Sequence, residues 1–212
     1  MDMRNDLLIQ RPDAAATRQL LLLFHGVGSS AEDLRPLGEA LAVQRPQACV
    51  VSVRSPDRSD LGQGWQWFSV RGVTEADRPA RVAATMPRYV EAIRAWQRES
   101  GVSPDSTTLI GFSQGAIMAL ESTQQSELIA GRVISLAGRF AQAPRVARPQ
   151  VALHLLHGEA DRVMLPALAT DALAHWHALG GQATLDLFPG LGHGVDSRVI
   201  RRVSEHLAGA AV

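Results

Sequence analysis

One junction constrains the fold of this chain more than any other. The β-prone run Thr107-Thr108-Leu109-Ile110 leads through Gly111-Phe112-Ser113-Gln114-Gly115 straight into the helix-prone run Ala116-Ile117-Met118-Ala119-Leu120-Glu121. A strand that becomes a helix within a residue or two has to turn sharply. Glycine on each side of the turn removes the side chains that would collide with the neighbouring strand or helix. Ser113 occupies the apex, in a strained strand–turn–helix geometry that lifts its hydroxyl above the sheet edge. The pentapeptide alone arises by chance, and its flanks on both sides make it specific.

The rest of the chain repeats the alternation. Strand-length apolar runs recur at Gln19–Phe24, Ala48–Val53, Thr107–Phe112, Arg132–Leu136, Val151–Leu156 and Ala183–Phe188. Helix-period segments follow most of them, at Ala31–Gln44, Ala80–Ser100, Gln114–Gln125, Pro166–Leu179 and Asp196–Leu207. Continuous apolar strands alternating with helices predict an α/β fold, a mostly parallel central sheet with helices on both faces. Leu7-Leu8-Ile9 is a candidate antiparallel edge strand. Pro87 predicts that its helix begins late, kinks or splits. At 212 residues, 46% apolar and 20% charged, the chain is expected to form one domain, residues 1–212, with a sizeable core. The stretch 139–150 reads as a loop, too short to hold an inserted cap domain, so an open site is expected.

Composition closes off several classes. Net charge is zero with both signs interspersed, which predicts no nucleic-acid footprint. The apolar run from Leu20 to Phe24 is far too short for a membrane span. The first twenty residues carry acids and no apolar core of a secretory signal. Cys49 is the only cysteine, so no intramolecular disulfide forms, in keeping with a cytoplasmic protein, and its strand context predicts a buried, inert thiol. Every basic residue is arginine. Without lysine there is no Schiff base, no Ser–Lys dyad and no phosphate-loop lysine.

An acyl-transfer serine needs a base to take its proton and an acid to orient that base. In a doubly wound sheet these sit on loops after the carboxyl ends of later strands. His157-Gly158-Glu159-Ala160-Asp161 follows one such strand and Gly190-Leu191-Gly192-His193-Gly194 the next. Ser113, Asp161 and His193 stand in the chain order expected for this architecture, and Asp161 is preferred to Glu159 as the acid. The loop Phe24-His25-Gly26-Val27-Gly28 should supply one oxyanion amide, from Val27, and Gln114 the other. At both positions backbone geometry is expected to matter more than the side chain, and His25 is expected to shape the loop. Among the remaining histidines, His154 reads as a satisfied core residue and His206 as solvated. His175 and His177, two apart on a helix, make a poor metal pair.

With those motifs in place the chain resembles the α/β-hydrolase fold, and within it the phospholipase/carboxylesterase family that includes acyl-protein thioesterases. The matching segments are Leu22-Leu23-Phe24-His25-Gly26-Val27-Gly28, Gly111–Ala116, His157-Gly158 with Asp161, and Gly192-His193. The resemblance implies a serine hydrolase with no cofactor and no metal, acting on small carboxylic esters or thioesters. A carboxylesterase for short-to-medium acyl chains is the first expectation. Acyl-protein thioesterase or lysophospholipase activity is the alternative within the family, and a non-catalytic ligand-binding protein is the rival outside it. Relatives are often homodimers, so the resemblance admits a homodimer here. They also place an aromatic segment beside the acyl site, at Trp65-Gln66-Trp67-Phe68 in this chain. Trp67 and Phe68 are therefore candidates either for a substrate wall or for anchoring that loop to the core. Met118 and Met164 are expected to pack in the core. Two positions depart from the family pattern: Ser29, where relatives carry an acidic residue, and Ala116, where thioesterases often have a second glycine.

Overall fold

The computed structural model describes residues 5–209. Its elements are β1 (Leu7–Gln10), β2 (Gln19–Phe24), α1 (Arg35–Gln44), β3 (Ala48–Val53), β4 (Asp57–Arg58), β5 (Trp65–Gln66), α2 (Arg78–Ser100) and β6 (Thr107–Phe112). They continue with α3 (Gln114–Ser122), β7 (Arg132–Leu136), β8 (Ala152–Gly158), α4 (Ala167–Ala178), β9 (Ala183–Phe188) and α5 (Ser197–Ala208). Seven strands form one sheet in the order β1-β3-β2-β6-β7-β8-β9, and β4 pairs with β5 in a separate ribbon. Among the described residues, only β1 runs antiparallel in the large sheet, against β3. This is the α/β-hydrolase fold.

Alternation along β2 shows how the two faces are filled. Leu20, Leu22 and Phe24 point into a core completed by Tyr89 of α2, Ile117 of α3 and Trp176 of α4. Leu21 and Leu23 point the other way, into a core closed by Leu37 and Leu41 of α1 with Val199 and Val203 of α5. Because both faces are covered, the strand is apolar throughout. In α5 the buried Val199, Val203 and Leu207 recur every four residues, one stripe of an otherwise polar helix. Asp196 caps that helix, its carboxylate accepting the N–H groups of Arg198 and Val199 at 2.9 and 3.1 Å.

Two helical expectations need correction. Pro87 neither delays nor divides α2, which runs from Arg78 to Ser100. Proline deprives the Ala83 carbonyl of its helical donor, but Ala83, Ala84 and Pro87 all face water while Met86 and Tyr89 face the core. Solvent can serve that carbonyl, so the cost is small enough for core packing to hold the helix. The segment before α1 is also not uniformly α-helical. It opens as a 3₁₀ turn, Ala31–Leu34, before α1 starts at Arg35 with Pro36 in its first turn.

β2 lies between β3 and β6, and its neighbours are reached by crossovers on opposite faces, through α1 on one and α2 on the other. The loops leaving the carboxyl ends of β2 and β6 therefore part, leaving the crevice where ligands bind in open α/β sheets. The connection from β7 to β8 contains no helix or strand, so nothing is inserted there as a cap. Among the described residues no helix is long and apolar enough to cross a membrane.

Candidate active site

β6 ends at Phe112, and Ser113 takes φ 53° and ψ −114° before α3 begins at Gln114. This left-handed φ is costly for a residue with a side chain, so the surroundings must enforce it. The Ser113 N–H donates to the Leu136 carbonyl at 3.0 Å, and its own carbonyl accepts from Ile117 N–H at 3.1 Å. Close backbone approach fixes the rest. A Cβ on Gly115 would sit 2.1 Å from the Phe24 carbonyl oxygen, and one on Gly111 would sit 2.4 Å from the Gly115 carbonyl oxygen. Helix, nucleophile strand and β2 thus meet where no side chain fits.

The structure brings the three predicted polar residues into one line. His193 Nε2 lies 2.9 Å from Ser113 Oγ, and His193 Nδ1 lies 2.7 Å from Asp161 Oδ2. With Nδ1–H donating to the carboxylate, the Nε2 lone pair faces the serine hydroxyl. Asp161 is buried and its second oxygen, Oδ1, accepts the N–H groups of Val163 and Met164 at 2.8 and 2.9 Å. Burial alone would raise its pKa, but the hydrogen bonds from His193, Met164 and Val163 outweigh it and hold the carboxyl below its ordinary value. Asp161 therefore stays ionised. Glu159, the competing acid, points into solvent. The His193 loop crosses close to β8, where a Cβ on Gly158 would meet the Leu191 carbonyl oxygen at 2.3 Å.

Two further histidines hold this frame. His25 is buried, donates from Nδ1 to the Gly26 carbonyl at 2.7 Å and accepts Ser55 N–H at Nε2, 3.1 Å away. Burial pushes its pKa down, so it remains neutral and shapes the loop. His157 Nε2 donates to the Met164 carbonyl at 2.8 Å and lies 3.3 Å from Asp161 Oδ2. It braces the turn that presents Asp161.

The amides of Val27 and Gln114 flank the same groove as Ser113, and among the described residues neither N–H has a hydrogen-bond partner. Gln114 also stands at the start of α3, where the helix end favours negative charge. Ser29, despite departing from the family pattern, is firmly tied: its hydroxyl donates to Asp33 Oδ2 at 2.6 Å, and Asp33 also accepts Ser30 N–H. An acid is supplied to this loop from the turn that follows. The alanine at 116 is accommodated by Gly138, where an added Cβ would come within 2.4 Å of the Ala116 methyl.

The Gln114 side chain matters more than sequence reasoning allowed. Its Oε1 accepts Trp67 N–H and its Nε2 donates to the Phe68 carbonyl, each at 2.7 Å. Thr85 adds a hydroxyl bond to the Trp67 carbonyl at 3.1 Å. This clamp separates the two aromatic candidates. Phe68 lines the groove. Trp67 does not, and as a substrate wall it is corrected to a core residue: it is 0% exposed, 4.8 Å from Tyr89 and 5.9 Å from Phe24 between ring centroids. The apolar surface of an indole is better covered by two other rings than by an open groove. Of the methionines, Met118 is core as expected, whereas Met164 faces the groove. The groove measures about 260 Å³, and Phe68, Val70, Val73, Ile117, Met164 and Leu168 supply its apolar wall.

His206 is a correction of another kind. Its Nε2 pairs with Asp186 Oδ2 at 2.7 Å and its ring stacks on His154 at 4.0 Å, so it is largely covered rather than solvated. Asp186 on β9 and His206 on α5 meet because that helix packs beside the strand. His154 is satisfied by Thr184 Oγ1 at 2.9 Å. Cys49 is buried in β3, and burial raises its thiol pKa.

Comparison with known proteins places the chain in a family. Residues 5–210 match the Phospholipase/Carboxylesterase family model. The chain is 45% identical over 206 residues to Esterase YpfH of Escherichia coli (strain K12), covering 97% of this chain and 88% of that protein. The crystal structure of esterase PE8 superposes with a TM-score of 0.84 at 25% identity, over 96% of each chain. The Bacillus cereus carboxylesterase gives a TM-score of 0.80 at 18% identity, over 96% of this chain and 92% of that one, a likeness of fold.

Proposed function

Since this chain belongs to the phospholipase/carboxylesterase family and is an esterase-type hydrolase, we propose that it is a serine carboxylesterase that cleaves short-to-medium acyl esters or thioesters. Ser113 Oγ attacks the carbonyl carbon as His193 Nε2 takes the hydroxyl proton. Asp161, ionised and held by two amides, keeps the imidazole in the required tautomer and stabilises the imidazolium. The developing oxyanion is received by the N–H groups of Val27 and Gln114. Collapse expels the alcohol or thiol, which receives the proton from His193, and leaves an acyl group on Ser113. Water deprotonated by His193 then attacks that ester, and the second tetrahedral intermediate releases the acid and restores Ser113.

The observation that carries this reading is the unbroken line from Asp161 through His193 to Ser113, beside two backbone amides without partners among the described residues. Labelling with a fluorophosphonate and kinetics of Ser113→Ala test it together. Wild type should be labelled at Ser113. The folded variant should lose labelling and activity, on the order of the roughly 10⁶-fold that removal of a triad serine costs. A folded Ser113→Ala protein keeping a tenth of the activity rules the assignment out.

A further inference from the structure

Three charged side chains line the groove beside Ser113, and none takes part in the reaction just described: Glu75, Arg78 and Arg139. Arg139 aims its fork at Glu75, with Nη1 at 3.1 Å from Oε1 and Nη2 at 2.7 Å from Oε2. Its Nε donates to the Phe140 carbonyl at 3.0 Å. Arg78 Nη1 donates to the same Oε1 at 2.6 Å. Two guanidiniums share one carboxylate, so the group carries a surplus positive charge. Exposure is unequal: the side chains of Arg78 and Arg139 are 15% and 17% exposed, whereas that of Glu75 is 68% exposed. The cations are built into the wall, and the anion is the outermost member.

Arg139 is also held in place from behind. Ala137 and Ser113 are the two non-glycine residues at positive φ among the described residues, and both follow the carboxyl ends of adjacent strands. Ala137, at φ 49°, donates its N–H to the Leu156 carbonyl at 2.9 Å. The chain beyond Arg139 is clamped to α3: buried Glu121 accepts Ala141 N–H at 2.7 Å, and Gln124 accepts Arg145 N–H at 2.8 Å. Strain of this sort persists only where surrounding contacts enforce it, and it gathers at binding sites. A guanidinium fork matches a carboxylate in bidentate geometry, and partial exclusion from water strengthens the attraction. The exposed side of such a pair contributes little, so its carboxylate is readily exchanged.

We infer, building on the esterase reading, that Arg78 and Arg139 select esters carrying a second group, a carboxylate, a short apolar spacer away from the scissile carbonyl. Glu75 is the resident carboxylate that the substrate displaces. The apolar wall takes the spacer, and the roughly 260 Å³ groove keeps it short. The same recognition serves a carboxylate on the acyl half, as in a dicarboxylic acid monoester, or on the alcohol half.

The test compares matched esters by pH-stat: monoethyl adipate with ethyl hexanoate for the acyl half, and (butanoyloxy)acetate with isobutyl butanoate for the alcohol half. Wild type should favour at least one charged ester over its neutral partner by about tenfold in kcat/KM, and the pair that shows it identifies the half. Arg78→Gln and Arg139→Gln should each reduce that ratio at least about fivefold, chiefly through KM. Glu75→Gln, an exposed change that leaves both cations in place, should raise the ratio about threefold. No preference in either pair, or a preference that survives both arginine changes, overturns the inference. If the arginine variants fail to fold, an unaltered ratio in Glu75→Gln overturns it. Fluorophosphonate labelling of the same wild-type sample separates the two readings. Unlabelled Ser113 sinks the esterase mechanism, whereas a labelled, active enzyme without the preference sinks charge selection alone.

Discussion

Truncating Trp67 and Phe68 one at a time separates packing from substrate contact in adjacent residues. Trp67 is wholly buried, edge-on to Tyr89 at 77° and tilted against Phe24, whose ring lies 4.5 Å from that of Tyr89. Alanine at 67 leaves a hole lined by rings that are themselves fixed, so little of it can close. A buried Trp or Phe replaced by alanine costs about 3–5 kcal/mol. At this chain length that lowers Tm by roughly 6–20 °C. Trp67→Phe should cost a fraction of that, because most of the ring remains and the indole N–H makes no hydrogen bond that could be lost. Phe68 is different. It too is buried, at 5% exposed, but it lines the groove, so Phe68→Ala should remove cover from the acyl chain as well as some core packing. Losing the burial of two methylenes, at about 0.8 kcal/mol each, lowers the hexanoate-to-acetate ratio of kcat/KM roughly fifteen-fold. Thermal denaturation and p-nitrophenyl ester kinetics on the three variants check both halves. A Trp67→Ala protein melting within about 2 °C of wild type, well short of the expected loss, refutes the packing argument. A folded Trp67→Ala that alters chain-length preference while Phe68→Ala does not would refute the groove assignment.

Other perturbations reach different parts of the same frame. Gly115→Ala places a methyl 2.1 Å from the Phe24 carbonyl oxygen, so α3 must move off β2. Stability should fall by about 1–3 kcal/mol, and kcat should fall with it, since the Gln114 amide shifts relative to Val27. Melting curves and kcat on one sample show whether the two losses travel together, and a stable variant with full kcat contradicts the contact. For His154, burial first and then the neighbouring His206 and Arg132 charges lower the pKa to about 3. The unfolded chain, with histidine near about 6.5, takes up the proton first, so stability falls as pH drops from there towards 3. Urea unfolding at pH 7 and pH 4.5 should differ by about 2 kcal/mol more in wild type than in His154→Gln, and equal slopes would discount the burial.

Several strands were legible to the residue. β2, β3, β6 and β7 match their apolar runs end to end, because strands buried on both faces are largely apolar and stop where turn residues begin. β9, a partly exposed edge strand, matches its run as well. The Ser113, Asp161, His193 order was legible for a related reason: in a parallel sheet, residues that follow successive strands all emerge along one edge. What stayed hidden depends on contacts between distant segments. Pro87 is tolerated because of the side of α2 on which it falls. Trp67 and Phe68 look alike in sequence, both are buried, and a loop has no period to say which one also borders the groove. The Gln114 clamp spans more than forty residues of chain, and no local pattern announces it.

The parts of the site differ in what sets their positions. Ser113, the Gln114 amide and the His193 loop are located by backbone-to-backbone approaches at Gly111, Gly115 and Gly158, where a single methyl would collide with a carbonyl. The groove is lined by side chains, some on loops, Phe68 and Arg139 among them, and some on helices, such as Arg78 at the start of α2. Rigid backbone contacts tolerate almost no substitution, whereas loop side chains can change without moving the sheet. Substitutions at the glycines should therefore lower kcat for every ester alike, because they displace the reacting groups. Substitutions at Phe68, Arg78 or Arg139 should instead redistribute kcat/KM among esters, because they alter only which acyl or alcohol portion is held. On the proposed mechanism, the reacting groups and the selecting groups are set by different contacts of one crevice, joined through Gln114, whose side chain holds Trp67 and Phe68. Kinetics on matched esters can tell the two sets apart.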